Sequence, residues 1–165
     1  MAQPKLGYWS WPRVLPQILS IAFLILVFRL VIPDGDWSSI FIVGATIYVV
    51  YSFGSRYLIL TAHRQGLKAM ARKDYDRAIE RFEKSYEFFA AYPWIDKYRA
   101  VTMMSPSLWT YREMALMNIA SVYIARNDIT AAESACVKVL DEFPENEVVA
   151  DTLKLIRSAP GANEA

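Results

Sequence analysis

The residues able to do covalent or metal chemistry in this chain are few. Cys136 is its single cysteine and His63 its single histidine. One cysteine closes no intrachain disulfide and makes no CxxC redox or metal motif, and one histidine leaves no His-rich ligand set for zinc. No serine stands in a glycine-framed elbow, and neither Cys136 nor His63 belongs to a paired motif, so a nucleophile–base–orienter arrangement has no support. No Walker-type glycine loop precedes a helix, which removes the phosphate cradle of a nucleotide site. Cys136 lies on an apolar helical stripe and reads as a small core residue. The expectation is therefore no enzyme, no cofactor, no metal and no small-molecule substrate.

Charge is the other source of chemistry. Arg29 lies inside an apolar run, where a cation is a functional candidate by default. It is also one turn from the end of that run, so the structural alternative is a side chain that snorkels outward to Asp34 or Asp36. Arg56, Arg64, Lys68, Arg72 and Lys73, with Arg77 beyond them, form a basic cluster suited to anionic lipid headgroups, or serve as a topology signal alone. Asp74, Asp76, Glu80 and Glu83 are interleaved with that cluster at helical spacing, which marks a solvated face and argues against nucleic acid. Residues 61–112 carry ten Lys/Arg against six Asp/Glu, and residues 113–165 four against nine. The net charge of +1 thus hides a dipolar distribution.

The elements that must carry these residues change character near residue 60. The chain is 55% hydrophobic with a mean hydropathy of +0.17, more apolar than an ordinary soluble domain at roughly 45–50%. The excess lies in two runs, about 15–32 and 37–58, each long enough as a helix to cross roughly 30 Å of hydrocarbon. Pro33-Asp34-Gly35-Asp36 between them is a helix-stopping turn whose Asp36 caps the next helix, so an antiparallel transmembrane hairpin over 15–60 is expected. A cleaved signal peptide is the rival for the first run, but no small-x-small site follows Ile32 and a second span begins at once.

Lys5 and Arg13 before the hairpin and the basic cluster after it put both termini on the cytoplasmic side of a plasma (inner) membrane, as a multi-pass protein. Tyr8, Trp9 and Trp11, in the segment 1–14, then lie at the cytoplasmic interface and Trp37 at the outer one. Gly44, with Ala45 and Thr46, offers a small patch for a neighbouring helix. No proline interrupts Trp37 to Lys73, so the second membrane helix is expected to run on through Ser55 and Arg56 into the first repeat helix, although Gly54 and Gly66 permit bending.

Beyond residue 60 the pattern is amphipathic and all-α. Tyr75, Ala78, Ile79, Phe82, Tyr86 and Phe89 recur at helical spacing, and Ile129, Ala132, Cys136, Val139 and Phe143 repeat the phase before Pro144 stops the helix. Here the chain resembles the tetratricopeptide repeat family, whose unit is a helix–turn–helix of 34 residues. Gly66, Tyr75, Ala78, Phe82 and Ser85 match its pattern in a first unit, 59–92. Leu116, Ile119, Ala120, Tyr123, Ala132 and Pro144 match it in a second, 113–146. The first unit has Gln65 and Ala69 where the family has its early Leu and Tyr, and the second has Cys136 for an aromatic. An insert, 93–112, separates the units, and Val149, Leu153 and Ile156 describe a capping helix over 147–157. The domain spans 61–158, and the tail 159–165 is expected to be disordered.

The resemblance implies a short solenoid whose groove binds peptides or helices, lined by His63, Leu67, Met114, Met117, Asn118 and Ser121. Some family members clamp a terminal carboxylate. Asn118 matches one residue of that set, but His63 and Leu67 replace others, so the clamp is not expected. The insert, with Trp94, Ile95, Tyr98, Val101, Met103, Met104 and Leu108, is expected to fold against the domain and partly fill the groove beside Met114 and Met117. The function expected is a non-catalytic, membrane-anchored adaptor for a protein partner of unknown identity, in contact with the lipid bilayer, with an oligomer left open. The alternative is an accessory or assembly subunit of a larger membrane complex, making its contacts through Arg29, Gly44 and the hairpin.

Overall fold

The computed structural model describes residues 11–103, 105 and 107–158. Lys5, Tyr8 and Trp9 and the tail 159–165 lie outside the described residues, and of the segment 1–14 only the backbone from Trp11 onward is described. Among the described residues the regular structure is helical: α1 (Trp11–Val31), α2 (Trp37–Ile59), α3 (Thr61–Ala71), α4 (Tyr75–Ala91), α5 (Pro93–Lys97), α6 (Arg99–Thr102), α7 (Tyr111–Ala125), α8 (Ile129–Glu142) and α9 (Glu147–Ser158). They fall into two compact units. The first holds residues up to Leu58 together with Tyr98–Ser107, and the second holds Ile59–Lys97 and everything from Leu108 onward.

In the first unit, α1 and α2 are joined by a tight link. The Gly35 N–H donates to the Ile32 carbonyl at 3.1 Å, and Asp36 Oδ2 accepts from the Ser39 N–H at 3.1 Å. That carboxylate satisfies a donor which the start of a helix otherwise leaves open. α2 is, among the described residues, the one helix long and apolar enough to cross a membrane, while α1 contributes a shorter apolar stretch, Ile18–Val31. Both turn large apolar side chains outward, among them Phe23 and Leu30 on α1 and Val50, Phe53 and Leu58 on α2. α2 stops at Ile59 and α3 starts at Thr61, so the expected run-on through Ser55 and Arg56 ends at Leu60, where the backbone leaves helical geometry (φ −91°, ψ 18°).

The second unit is built from two helix–turn–helix pairs with one turn chemistry. After α3, Lys73 takes φ 61°; its N–H reaches the Met70 carbonyl at 2.9 Å and the Asp74 N–H reaches that of Ala69 at 3.0 Å. After α7, Asn127 takes φ 63°, with the same bonds from Asn127 to Ile124 and from Asp128 to Tyr123, both at 3.0 Å. This is the left-handed helix stop that recovers the last carbonyls of a helix. Asp74 and Asp128 then cap the following helices, accepting from the N–H groups of Arg77 at 3.4 Å and Ala131 at 3.1 Å. The turns read Ala71-Arg72-Lys73-Asp74 and Ala125-Arg126-Asn127-Asp128.

Apolar periodicity becomes core in both pairs. Ala78 and Phe82 of α4 pack with Ala69 of α3 and Val122 of α7. Leu116, Ala120, Ala132, Cys136, Val139, Val149 and Leu153 form a second cluster across α7, α8 and α9. Gly66 lets α3 approach α4, because a Cβ there would stand 2.7 Å from the Phe82 ring. Full burial of a side chain such as Phe82 is worth about 1.5–3 kcal/mol. The insert divides between the units: α5 belongs to the second, and α6 to the first, where it packs on α1.

Candidate partner-binding groove

His63 lies in the first turn of α3 and is only 6% exposed. Its Nδ1 is 3.3 Å from Ser85 Oγ on α4, and its Nε2 is 3.3 Å from Asn118 Nδ2 on α7. With the amide so oriented, Asn118 donates to Nε2, which leaves the ring proton on Nδ1 to be donated to Ser85. The ring meets Phe82 and Tyr111 edge-on, with centroids 5.5 and 5.8 Å apart. Burial among these neutral partners lowers the imidazole pKa from 6.5 to about 4, so the ring is neutral at physiological pH. A serine bonded to a histidine has the form of a nucleophile and base, but Ser85 is itself buried. The trio ties three helices together.

The other expected groove residues divide. Leu67 is exposed, and Met114, Asn118 and Ser121 are half-buried on one face of α7. Met117 turns into the core cluster of α7, α8 and α9, where its Sδ accepts from Asn146 Nδ2 at 3.2 Å. Asn146 also donates to Glu113 Oε1 at 2.8 Å and caps α9 by accepting from the Val149 N–H at 2.9 Å. Of the expected groove residues, Leu67 on α3 and Met114, Asn118 and Ser121 on α7 thus keep accessible surface. Among the described residues, no three His, Cys, Asp or Glu side chains converge as a metal ion requires.

Sequence reading missed three features of this unit. Asp96, 4% exposed, bonds the first two N–H groups of α7 from a distance in sequence, Oδ1 to Tyr111 and Oδ2 to Arg112, each at 2.9 Å. Tyr86 donates to Glu142 Oε1 at 2.7 Å, Arg112 pairs with the same carboxylate, and the Arg112 guanidinium lies 5.3 Å from the centre of the Tyr86 ring. The bond to Glu142 holds the Tyr86 phenol above its ordinary pKa. Beside this joint is a cleft of about 430 Å³ between α4, α7 and α8, lined by Tyr86, Leu116, Ile119, Tyr123, Ala135 and Lys138 among others. Partners 15 to 56 positions apart leave no local sequence signal.

In the first unit, Arg29 does reach the link, but its guanidinium bonds the Pro33 carbonyl and lies 5.2 Å from the centre of the Trp37 ring rather than pairing with Asp34 or Asp36. Gly44 is buried and faces α1, its nearest neighbour being Ile25 Cγ1 at 3.9 Å from where a Cβ would stand. Within the basic cluster, Arg56 turns onto the insert, its Nε donating to the Met103 carbonyl at 2.8 Å. Arg64 is half-buried, while Lys68, Arg72 and Lys73 are exposed; Lys68 and Arg72 line a small cleft of about 140 Å³ with Gln65, Asp74 and Arg77.

In the insert, Tyr98–Ser107 belongs to the first unit; Met103 is fully buried, and Trp94, Tyr98, Val101 and Leu108 are exposed. Its polar groups find partners within their own units: Asp96 at the start of α7, and the Thr102 and Met103 carbonyls on α2. No protein-family model, curated protein or solved structure matches the chain.

Proposed function

We propose that the chain is a non-catalytic adaptor that is anchored in the inner membrane by a hairpin of α1 and α2 and holds a protein partner on a tetratricopeptide-like unit at the cytoplasmic face. The observation that carries the reading is the contrast within one chain between helices that turn their large apolar residues outward, α1 and α2, and helices that bury several of them, α4 and α7 to α9. Outward apolar faces of that length suit hydrocarbon, and a positively charged flank on the far side of α2 suits a cytoplasmic exit. The duplicated turn, Ala-Arg-x-Asp with a left-handed third residue, supports a repeat. Two repeats plus a cap leave the α3 and α7 face for a partner.

The second reading, an accessory subunit contacting a complex through the hairpin, draws on the outward face of α2. Gly44 weighs against it, since that small patch is already turned to Ile25 of α1. Full-length protein purified from its own membranes in mild detergent separates the two. Leu67→Glu and Ser121→Arg should release co-purifying proteins under the adaptor reading, whereas Val50→Leu and Phe53→Ala should not. Loss of partners with the α2 changes alone would instead establish the hairpin as the contact.

A further inference from the structure

We propose that residues 98–103, α6 with its two flanking residues, lie in the boundary between lipid headgroups and acyl chains as a collar on the hairpin. The proposal rests on the bilayer reading of α1 and α2 and adds a third membrane contact to it. α6 packs on α1, and two donors of α2 fix its end: Tyr51 Oη to the Thr102 carbonyl at 3.2 Å and Arg56 Nε to the Met103 carbonyl at 2.8 Å. Those donors stand eight and three residues before the end of α2 at Ile59, which is about 12 and 4.5 Å along the helix axis at 1.5 Å per residue. The segment therefore runs beside the last third of α2, where a spanning helix passes from hydrocarbon into headgroups.

Backbone at that depth is tolerated only when its polar groups are satisfied without water. Several of the segment's backbone groups are satisfied by its own bonds. The N–H groups of Val101 and Thr102 reach the Tyr98 carbonyl at 2.8 and 3.0 Å, and those of Met103 and Ser105 reach the Arg99 carbonyl at 3.2 and 2.9 Å. The Thr102 hydroxyl turns back to the Tyr98 carbonyl at 3.1 Å, and Arg99 covers the Ser107 carbonyl through Nε at 3.3 Å and a terminal nitrogen at 3.1 Å. At the end of α6, the Thr102 and Met103 carbonyls are taken by donors of α2.

The outward face completes the case. Tyr98 and Val101, three apart on one side of α6, are 57% and 48% exposed. In water they would be an unexplained apolar face on a four-residue helix. At a membrane surface, an amphipathic ring and an aliphatic side chain at this level are what the interface favours.

Spin labels on the full-length chain in phosphatidylcholine–phosphatidylglycerol vesicles test this. Cys136 is buried and burial holds its thiol above the usual range, so one added cysteine labels selectively. Collision with oxygen, which concentrates in lipid, is compared with collision with a water-soluble nickel chelate at Val101→Cys, Val50→Cys on α2 and Glu87→Cys on α4. Val50 should favour oxygen strongly, Glu87 the chelate, and Val101 should favour oxygen several-fold more than Glu87 does. Chelate preference at Val101 with oxygen preference at Val50 would overturn the collar and leave the hairpin standing; so would a Val101 label shielded from both reagents. Chelate preference at Val50 would overturn the bilayer reading and the collar with it. Tyr98→Cys supplies the same readings if the Val101 variant does not fold.

Discussion

α2 and α4 are both helices rich in large apolar residues, yet they use them in opposite ways. Phe53 of α2 is 71% exposed, while Phe82 of α4 is fully buried. α4 separates its surfaces, keeping Asp76, Glu80 and Lys84 outward and Ala78, Phe82 and Phe89 inward. α2 keeps Ile40, Gly44 and Ser52 inward and turns bulk outward. Two of its three inward residues are small, and most of its large side chains face outward, which is what the proposed bilayer setting of α2 would allow. Composition alone does not separate the two cases; which face carries the bulk does.

The sharpest way to break that comparison is the same change on each side. Phe82→Ala should cost about 3–5 kcal/mol by leaving a cavity, read as a lower melting temperature of the second unit in mild detergent. Phe53→Ala should leave that melting unchanged. Equal losses would mean that α2 is packed into the folded core after all.

Acid probes the buried side alone. The His63 pKa is about 4 in the folded state against 6.5 unfolded, so between those values the unfolded chain binds a proton that the folded one refuses. The contribution of neutral His63 is intact above pH 6.5 and is lost as pH falls toward 4. The total is about 3 kcal/mol, at 1.36 kcal/mol per unit. His63→Gln should flatten this slope in unfolding measured across the range, and an unchanged slope would contradict the burial of the ring.

Much of the helical unit was legible in the sequence, and the reasons are local. Ala78, Phe82 and Phe89 are buried because one helical face collects them, and in the first unit Asp36 caps because its carboxylate sits beside the N–H group it needs; the like caps at Asp74 and Asp128 were not read from the sequence. Three things were not legible. The break at Leu60 carries neither proline nor glycine. The capping of α7 by Asp96 spans 15 residues, and the docking of α6 depends on Tyr51 and Arg56, some 50 residues earlier. His63 was read only as a groove-lining residue; its burial depends on Ser85, Phe82 and Tyr111 closing around it.

Glycines give a smaller contrast. Gly66→Ala drives a methyl against the buried Phe82 ring and should cost about 1–3 kcal/mol by overpacking. Gly54→Ala in α2 meets nothing within 4 Å, so it should be neutral or gain up to about 1 kcal/mol in helix propensity. Smaller still is Asp96→Ala, which removes acceptors from the Tyr111 and Arg112 N–H groups and should cost about 0.5–2 kcal/mol. Hydrogen exchange at those two amides would show the effect, and unchanged protection there would mean that other groups hold the start of α7.

The central claim is that α1 and α2 form a membrane hairpin with the helical unit on the cytoplasmic side. Its most direct test fuses a reporter that is active only outside the cytoplasm at two sites, in the link at Gly35 and after Ala165. The account predicts activity at Gly35 and silence after Ala165. Activity after Ala165 alone, or silence at Gly35 with the protein recovered in the soluble fraction, would contradict it.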